Sequence, residues 1–334
     1  MGLGAIVIVD AEERVRAGFS PETRATEAKD LIGQPLSCVE IFGRSLLEHA
    51  LVQLIRANLE AITVLVHADV LPLMPQFRGR SANVTVEAAD EVWFAAASTL
   101  NDYARSGIDH AFVLKANSYV EVNLADLLHF HVEGQRPVTR AADREGPLDL
   151  WVAHCDTTWQ AEPGTSHADT AAHKSYFVKE YSKRVDHPRD IRQLVTDAFI
   201  GRCQLSPVGR EIRPGVWADE GVEIRNRARI VAPAYLGARS TIREDALVTR
   251  FSNIESFSYI DYGTAVEDTS VLSNTYVGIW LDVRHAVVNG SKLLNLSRNV
   301  LVEISDPSLI RSNAPIHHNN NEDARKQSRL MSLV

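Results

Sequence analysis

The sequence predicts an α/β chain in two parts: a mostly parallel sheet flanked by helices, then a coiled run that turns a corner every six residues. Three observations predict it. Aliphatic residues recur every six positions at Ile224, Ile230, Leu236, Ile242, Val248, Ile254, Ile260, Val266 and Leu272. Small residues stand two places ahead, at Ala228, Ala234, Ser240, Ala246, Ser252, Ser258, Thr264 and Ser270. Upstream, buried-strand patterns alternate with amphipathic-helix patterns.

A period of six fits neither the helical repeat nor the alternation of a strand. It fits a chain wound on a narrow prism, the aliphatic side chain inside and the small residue leaving room at the turn. Three hexapeptides make a coil of about 18 residues. The column slips by one residue to Val271, Val277 and Val283, and again to Val288, Leu294 and Val300. The two columns together resemble the hexapeptide-repeat family, and that resemblance implies a left-handed parallel β-helix.

A chain of 334 residues suggests two domains, and 45% hydrophobic with 23% charged residues is ordinary for a globular protein. A net charge of −8 leaves no global basic field for nucleic acid. Cys38, Cys155 and Cys203 are too far apart in sequence for a metal or disulfide pattern, which points to a reducing cytoplasm. The apolar run from Gly2 to Val9 is short and is followed by Asp10, Glu12 and Glu13, unlike a signal peptide. Ile6 stands where a myristoylation signal has Ser or Thr, and no run is long enough to predict a membrane span.

The elements are expected in this order. Gly4–Asp10 is a buried strand, followed by a polar, functional loop from Ala11 to Gln34. A helix follows Ser45 as cap, with Leu46, Leu47, Ala50, Leu51 and Leu54 on one face. Ala61–His67 and Val84–Glu87 are strands, Ala88–Ser106 a helix, and Ile108–Leu114 a third main strand. Asn123 opens a helix to His131, with Asp126 three residues on in near capping-box spacing. Leu148–Cys155 is a strand, 156–174 a mobile excursion, and Arg189–Gly201 a helix joining the two parts. The domains expected are 1–205, 206–305, and a polar, disordered tail at 306–334.

The first part resembles the nucleotide-sugar pyrophosphorylases, sugar-phosphate nucleotidyltransferases. Gly33, Gln34, Pro35 and Leu36, then Gly43 to His49, are similar to that family's "K-P-L … G-x-P-L-L-E-H" segment. Asp109 to Asn117, then Val122 to His131, are similar to "F-L-V-L-N-G-D … D-L-A-x-L-L-x-F-H". Ser273 to Gly278 resembles the coil motif "L-P-N-T-Y-V-G". The resemblance implies attack of a sugar 1-phosphate on the α-phosphate of a nucleoside triphosphate, with phosphates cradled by backbone amides and Mg²⁺ held by a carboxylate. It carries the candidate pocket to Asp10, Ala11, Gln34, Lys115 and Asn117, with Arg16 as the catalytic cation.

Four positions depart from the family. Its "A-A-G-x-G-T-R" loop aligns with residues 10–16, where Glu12 and Arg14 replace glycines and only Ala11 and Arg16 match. A carboxylate at Glu12 would repel a triphosphate by several kcal/mol where partly buried, on the order of Coulomb contact. The lysine before proline falls on neutral Gln34, and the metal-holding aspartate falls on Asn117, a poor Mg²⁺ ligand. Asp10, Glu12 or Glu121 could rebuild a metal site, and the same acids could equally form a solvated rim.

Three functional readings follow. One is a nucleotide-sugar enzyme with impaired or altered transfer, binding a nucleotide or sugar phosphate, with Mg²⁺ if activity survives. A second is a non-catalytic scaffold or regulatory subunit for glycoconjugate assembly, a pseudoenzyme that self-associates or docks a partner enzyme through the coils. The third is a hexapeptide acyltransferase with His285, the one histidine in the coils, as general base. For His285 the nearest acid in sequence is Asp282, and neither neighbour, Arg284 or Ala286, supplies an orienting carboxylate.

Overall fold

The computed structural model describes residues 2–10, 31–74, 83–157 and 175–313. Strand β1 (Gly2–Val9) is an interior strand of a seven-stranded sheet. It pairs in parallel with β4 (Ala61–His67) on one side and β6 (Ile108–Lys115) on the other. β4 in turn pairs in parallel with β5 (Val84–Ala89). Unbroken aliphatic runs suit this placement, because both faces of β1 and β4 are covered.

Beyond β6 the sheet is mixed rather than parallel. β9 (Gly146–His154), expected as another parallel strand, runs antiparallel to β6 and also to β8 (Val138–Asp143), a strand the sequence reading omits. A tight turn explains both. Asp143 Oδ1 accepts the backbone N–H of Glu145 at 2.8 Å and of Gly146 at 3.0 Å, folding β8 directly back into β9. β10 (Tyr176–Phe177) extends the sheet beside β8, and β7 (Ser118–Val120) pairs with β11 (Ser182–Arg184).

The helices hold near their expected limits. α1 (Leu46–Arg56) follows a short hairpin of β2 (Glu40–Ile41) and β3 (Arg44–Ser45). Ser45 and Glu48 form a complete capping box at its start. α2 spans Val92–Ser106 and begins later than expected, since Ala88 and Ala89 are held in β5 by pairing with Val66 and His67. α3 (Leu124–Glu133) is capped by Asn123, and α4 (Pro188–Phe199) by His187. The excursion expected at 156–174 falls, after Thr157, outside the described residues.

From Val216 the chain visits three sheets in turn. Val216 pairs with Ala234 and Ala234 with Ser252; Glu223 pairs with Thr241 and Thr241 with Tyr259; Arg229 pairs with Leu247 and Leu247 with Ala265, all in parallel. Each coil of this part is 18 residues long. The next coil is 17, with Tyr259 against Tyr276 and Ala265 against Asp282, so the one-residue slip read from the sequence is real. Ile230, Leu236, Ile242, Val248, Ile254, Ile260, Val266, Val271, Val277 and Val283 form one buried interior. Leu272 leaves that column and packs outward against the first domain.

Corners fall at the same spacing. Arg227, Arg239, Asp245, Phe251, Phe257, Gly263, Asp268, Asn274, Trp280 and His285 all have positive φ. The small column is explained by what its hydroxyls do. Ser258 Oγ donates to Leu272 O at 2.9 Å and accepts from Thr275 N at 3.3 Å, both in the next coil. Thr264 Oγ1 donates to Gly278 O and accepts from Leu281 N at 3.0 Å. A larger side chain would fill the corner, and an apolar one would orphan those buried backbone groups.

Three expectations at the ends of the coil are corrected. Ile224 is 39% exposed because no coil lies beneath it. Leu294 and Val300 belong to an antiparallel meander of Ala286–Asn289, Lys292–Asn295 and Val300–Glu303, not to a further coil. The start of the expected disordered tail is ordered: Ile310–Ser312 pairs antiparallel with Thr275–Val277. Residues 314–334 lie outside the described residues.

The two parts meet across the outer face of one coil sheet. Phe42 and Gly43 form the two-residue turn of the β2–β3 hairpin, with φ of 58° and 81°. Glu255, fully buried, accepts the N–H of Phe42 at 2.9 Å, the N–H of Gly43 at 3.0 Å and Asn253 Nδ2 at 2.7 Å. Gly43 is required here, since a Cβ would lie 2.3 Å from the Tyr235 hydroxyl. Phe42 packs edge-on against Phe199 and Tyr235, and Ser273 Oγ donates to Glu40 Oε2 at 2.7 Å.

Burial, then the nearby Glu40 carboxylate, push the Glu255 carboxyl up from 4.5 to about 7, against the pull of its three donors. A raised carboxyl contributes stability that is complete below about pH 4.5 and is lost as pH rises through about 7. Comparing melting temperatures of the native chain and Glu255→Gln at pH 5 and pH 8 tests this. The native chain is expected to lose ground to the variant between the two, and a constant gap refutes it. Thr264→Val is expected to cost about 1–3 kcal/mol in denaturant unfolding through the two orphaned backbone groups.

Candidate functional site

The order of strands defines a crevice. From β1 the chain crosses to β4 and β5 on one side, then returns to β6 on the other. Loops leaving the carboxyl ends of β1 and β6 therefore diverge, and such a switch point is where open α/β sheets bind ligands. Asp10 directly follows β1. Lys115 ends β6, with Ala116 and Asn117 after it.

Parallel pairing of Ile8 with Lys115 brings these groups together. Lys115 Nζ lies 3.8 Å from Asp10 Oδ2, with their side chains 7% and 15% exposed. In so little water the two charges depend on each other, because either one alone would carry an uncompensated desolvation cost. Asn117 is fixed by its backbone, whose carbonyl accepts Val185 N–H at 2.9 Å. Its side-chain Oδ1 is buried with no hydrogen-bond partner among the described residues.

Ala11, Glu12, Arg14 and Arg16 lie outside the described residues. Gln34 is exposed, and among the described residues it makes no hydrogen bond to Asp10, Lys115 or Asn117. Glu121 is engaged elsewhere: its Oε1 accepts the Tyr119 hydroxyl at 3.0 Å and the N–H of Gln204. Burial and this carboxylate raise the Tyr119 hydroxyl's pKa. Among the described residues no group of three or more His, Cys, Asp or Glu could hold a metal ion. Among the described residues the donors at the crevice do not fit Mg²⁺, since the Asp10 carboxylate faces an ammonium and the Asn117 oxygen belongs to a neutral amide.

The coils contain a second arrangement that sequence reasoning missed. Asp268 Oδ2 lies 2.5 Å from His285 Nδ1. Its Oδ1 lies 2.5 Å from Arg192 Nη2 of α4, whose Nε also donates to Asp268 O at 3.2 Å. Asp282, the acid nearest in sequence, is instead 2.6 Å from Arg284 Nε. The signal was a register: Asp268 precedes His285 by the 17 residues of one shortened coil. The carboxylate fixes the tautomer with hydrogen on Nδ1 and leaves Nε2 as the free acceptor on a half-exposed ring. Arg192 is 5% exposed, and burial lowers its pKa against the pull of Asp268.

No protein-family model matches the chain, and no curated protein matches it.

Removing Asp268 leaves Arg192 buried without its charge partner. Asp268→Ala is expected to lower unfolding free energy by about 2–3 kcal/mol, discounted for the partly exposed carboxylate. His285→Ala is expected to cost less than about 1 kcal/mol. Equal losses in denaturant titrations would show that Asp268 serves the histidine rather than the arginine.

Proposed function

We propose that the chain is a nucleotide-sugar pyrophosphorylase-like protein of sugar-nucleotide or polysaccharide metabolism, an α/β domain feeding a left-handed β-helix, with nucleotidyl transfer impaired or altered. The supporting observation is the pairing of Lys115 with Asp10 at the crevice between β1 and β6. An ammonium and an amide there can receive a phosphoryl group by hydrogen bonding and charge. Transfer asks for more. Charge developing on the α-phosphate must be neutralised, and Lys115 is already partly neutralised by Asp10. Binding with little turnover is the expected behaviour, and the coils then serve assembly with copies of the chain or with a partner enzyme.

A second reading, acyl transfer at the coils, is favoured by Asp268 beside His285. Nε2 would take the proton of an attacking hydroxyl or amine as it adds to a thioester carbonyl, then return it to the departing thiolate. Asp268 would stabilise the imidazolium formed between the two steps.

Calorimetric titration of the full chain with nucleoside triphosphates, sugar 1-phosphates and nucleotide sugars, with and without Mg²⁺, tests the first reading. Saturable binding of a nucleoside triphosphate or a nucleotide sugar, weakened about tenfold or more by Lys115→Gln, is expected on the loss of a charge-assisted contact. Absence of heat with both of these classes removes it. Acetyl-CoA turnover that persists in His285→Ala removes the second.

A further inference from the structure

The largest described cavity lies away from the switch point. A groove of about 670 Å³ runs between α1 and the start of α3. His49, Val52, Gln53, Arg56 and Ala57 present one helical face of α1 to it, and its floor is apolar, with Leu3, Phe112 and Leu128. This volume is that of a small-molecule site.

The polar groups of the groove are unusually free. His49 Nε2 lies 3.2 Å from the Ile41 carbonyl, which can only accept, so the ring hydrogen sits on Nε2. Burial first, then the positive charge of Arg44, lower its pKa to about 4, so the ring is neutral at pH 7. Nδ1 is therefore a bare acceptor on a residue only 8% exposed, and it makes no hydrogen bond among the described residues. Arg44 acts electrostatically on His49, and Arg56 on Tyr119. The His49 and Tyr119 rings are 6.2 Å apart, so both guanidiniums act on neighbouring groups of the same groove. Neither guanidinium makes an ion pair among the described residues, while Gln53 and Gln204 add amides to the rim.

A cavity lined by two cations without an ion pair among the described residues asks for an anion, and a lone-pair acceptor in the same lining asks for a hydroxyl. Glu121 and Glu180 on the α3 side suit further hydroxyls and repel a second phosphoryl group. We propose that this groove is a second ligand site, separate from the β1–β6 crevice, and that it takes a sugar monophosphate. The phosphoryl group lies at the arginines, a ring hydroxyl donates to His49 Nδ1, and the ring covers the apolar floor.

The test is calorimetric titration of the full chain with glucose 1-phosphate, glucose 6-phosphate and ribose 5-phosphate, against glucose and inorganic phosphate. Three variants accompany it: Arg44→Gln, Val52→Trp to fill the groove, and Lys115→Gln at the other site, each checked for unchanged melting. At least one sugar phosphate should bind saturably and at least tenfold more tightly than glucose or phosphate. Arg44→Gln and Val52→Trp should each weaken it tenfold or more, and Lys115→Gln should leave it unchanged. Loss in Lys115→Gln with retention in Val52→Trp would place the ligand at the crevice and overturn the proposal. So would equal binding of inorganic phosphate, or no binding of any sugar phosphate. The proposed function stands or falls separately, on nucleotides and Lys115.

Discussion

Glu255 is the fixed point of the molecule. Its carboxylate leaves the coil and binds the two amides at the tip of the β2–β3 hairpin. Both amides point outward because Phe42 and Gly43 have positive φ, a backbone state that residues other than glycine and asparagine seldom adopt without support. Each such hydrogen bond is worth roughly 0.5–1.5 kcal/mol net, and loss of the acceptor would leave both buried amides unsatisfied at a cost of about 1–3 kcal/mol each. The hairpin then delivers Ser45 to cap α1, and α1 sets one wall of the groove. Tyr235 and Phe199 seal the same contact from the coil and from α4. One buried acid thus determines where a helix on the first domain begins.

Much of this was legible in the sequence, for a physical reason. A buried column at fixed spacing is periodic in sequence whenever it is periodic in space, so Ile230 to Val283 and the slip after Val266 could be read directly. Caps such as Ser45 and Asn123 are local and were equally plain. What escaped was either non-local or local without a hydrophobic pattern. The return of β8 into β9 depends on side-chain hydrogen bonds from Asp143, in a stretch without a strong hydrophobic signal. Asp268 and His285 touch only because a coil places residues 17 apart on one corner. His49 was visible as part of a motif, but its free Nδ1 depends on which carbonyl lies beside Nε2.

The two candidate ligand sites contrast in their charges. At the crevice a cation and an anion satisfy each other, so an incoming phosphate competes with Asp10 for Lys115. In the groove the cations have no ion-pair partner among the described residues, and Glu121, one of its two acids, is tied to Tyr119 and Gln204. Free binding capacity therefore sits off the switch point. Sequence motifs drew attention to the carboxyl ends of the strands, whereas residual hydrogen-bonding valence draws it to α1.

The exposed first coil has a consequence for solubility. One of the three coil sheets begins beneath an antiparallel strand, Arg210–Arg213, while the other two begin at Glu223–Ile224 and Arg229–Ile230 with no strand beneath them among the described residues. Bare strand edges are templates on which foreign chains can polymerise. Arg225, Arg227 and Arg229 stand exposed on that rim, Arg225 paired with Glu223 at 2.7 Å and Arg227 with Asp245 at 3.0 Å. A strand lengthening the stack from below would have to strip water from this rim of exposed, mostly paired charges, a desolvation cost that opposes further growth.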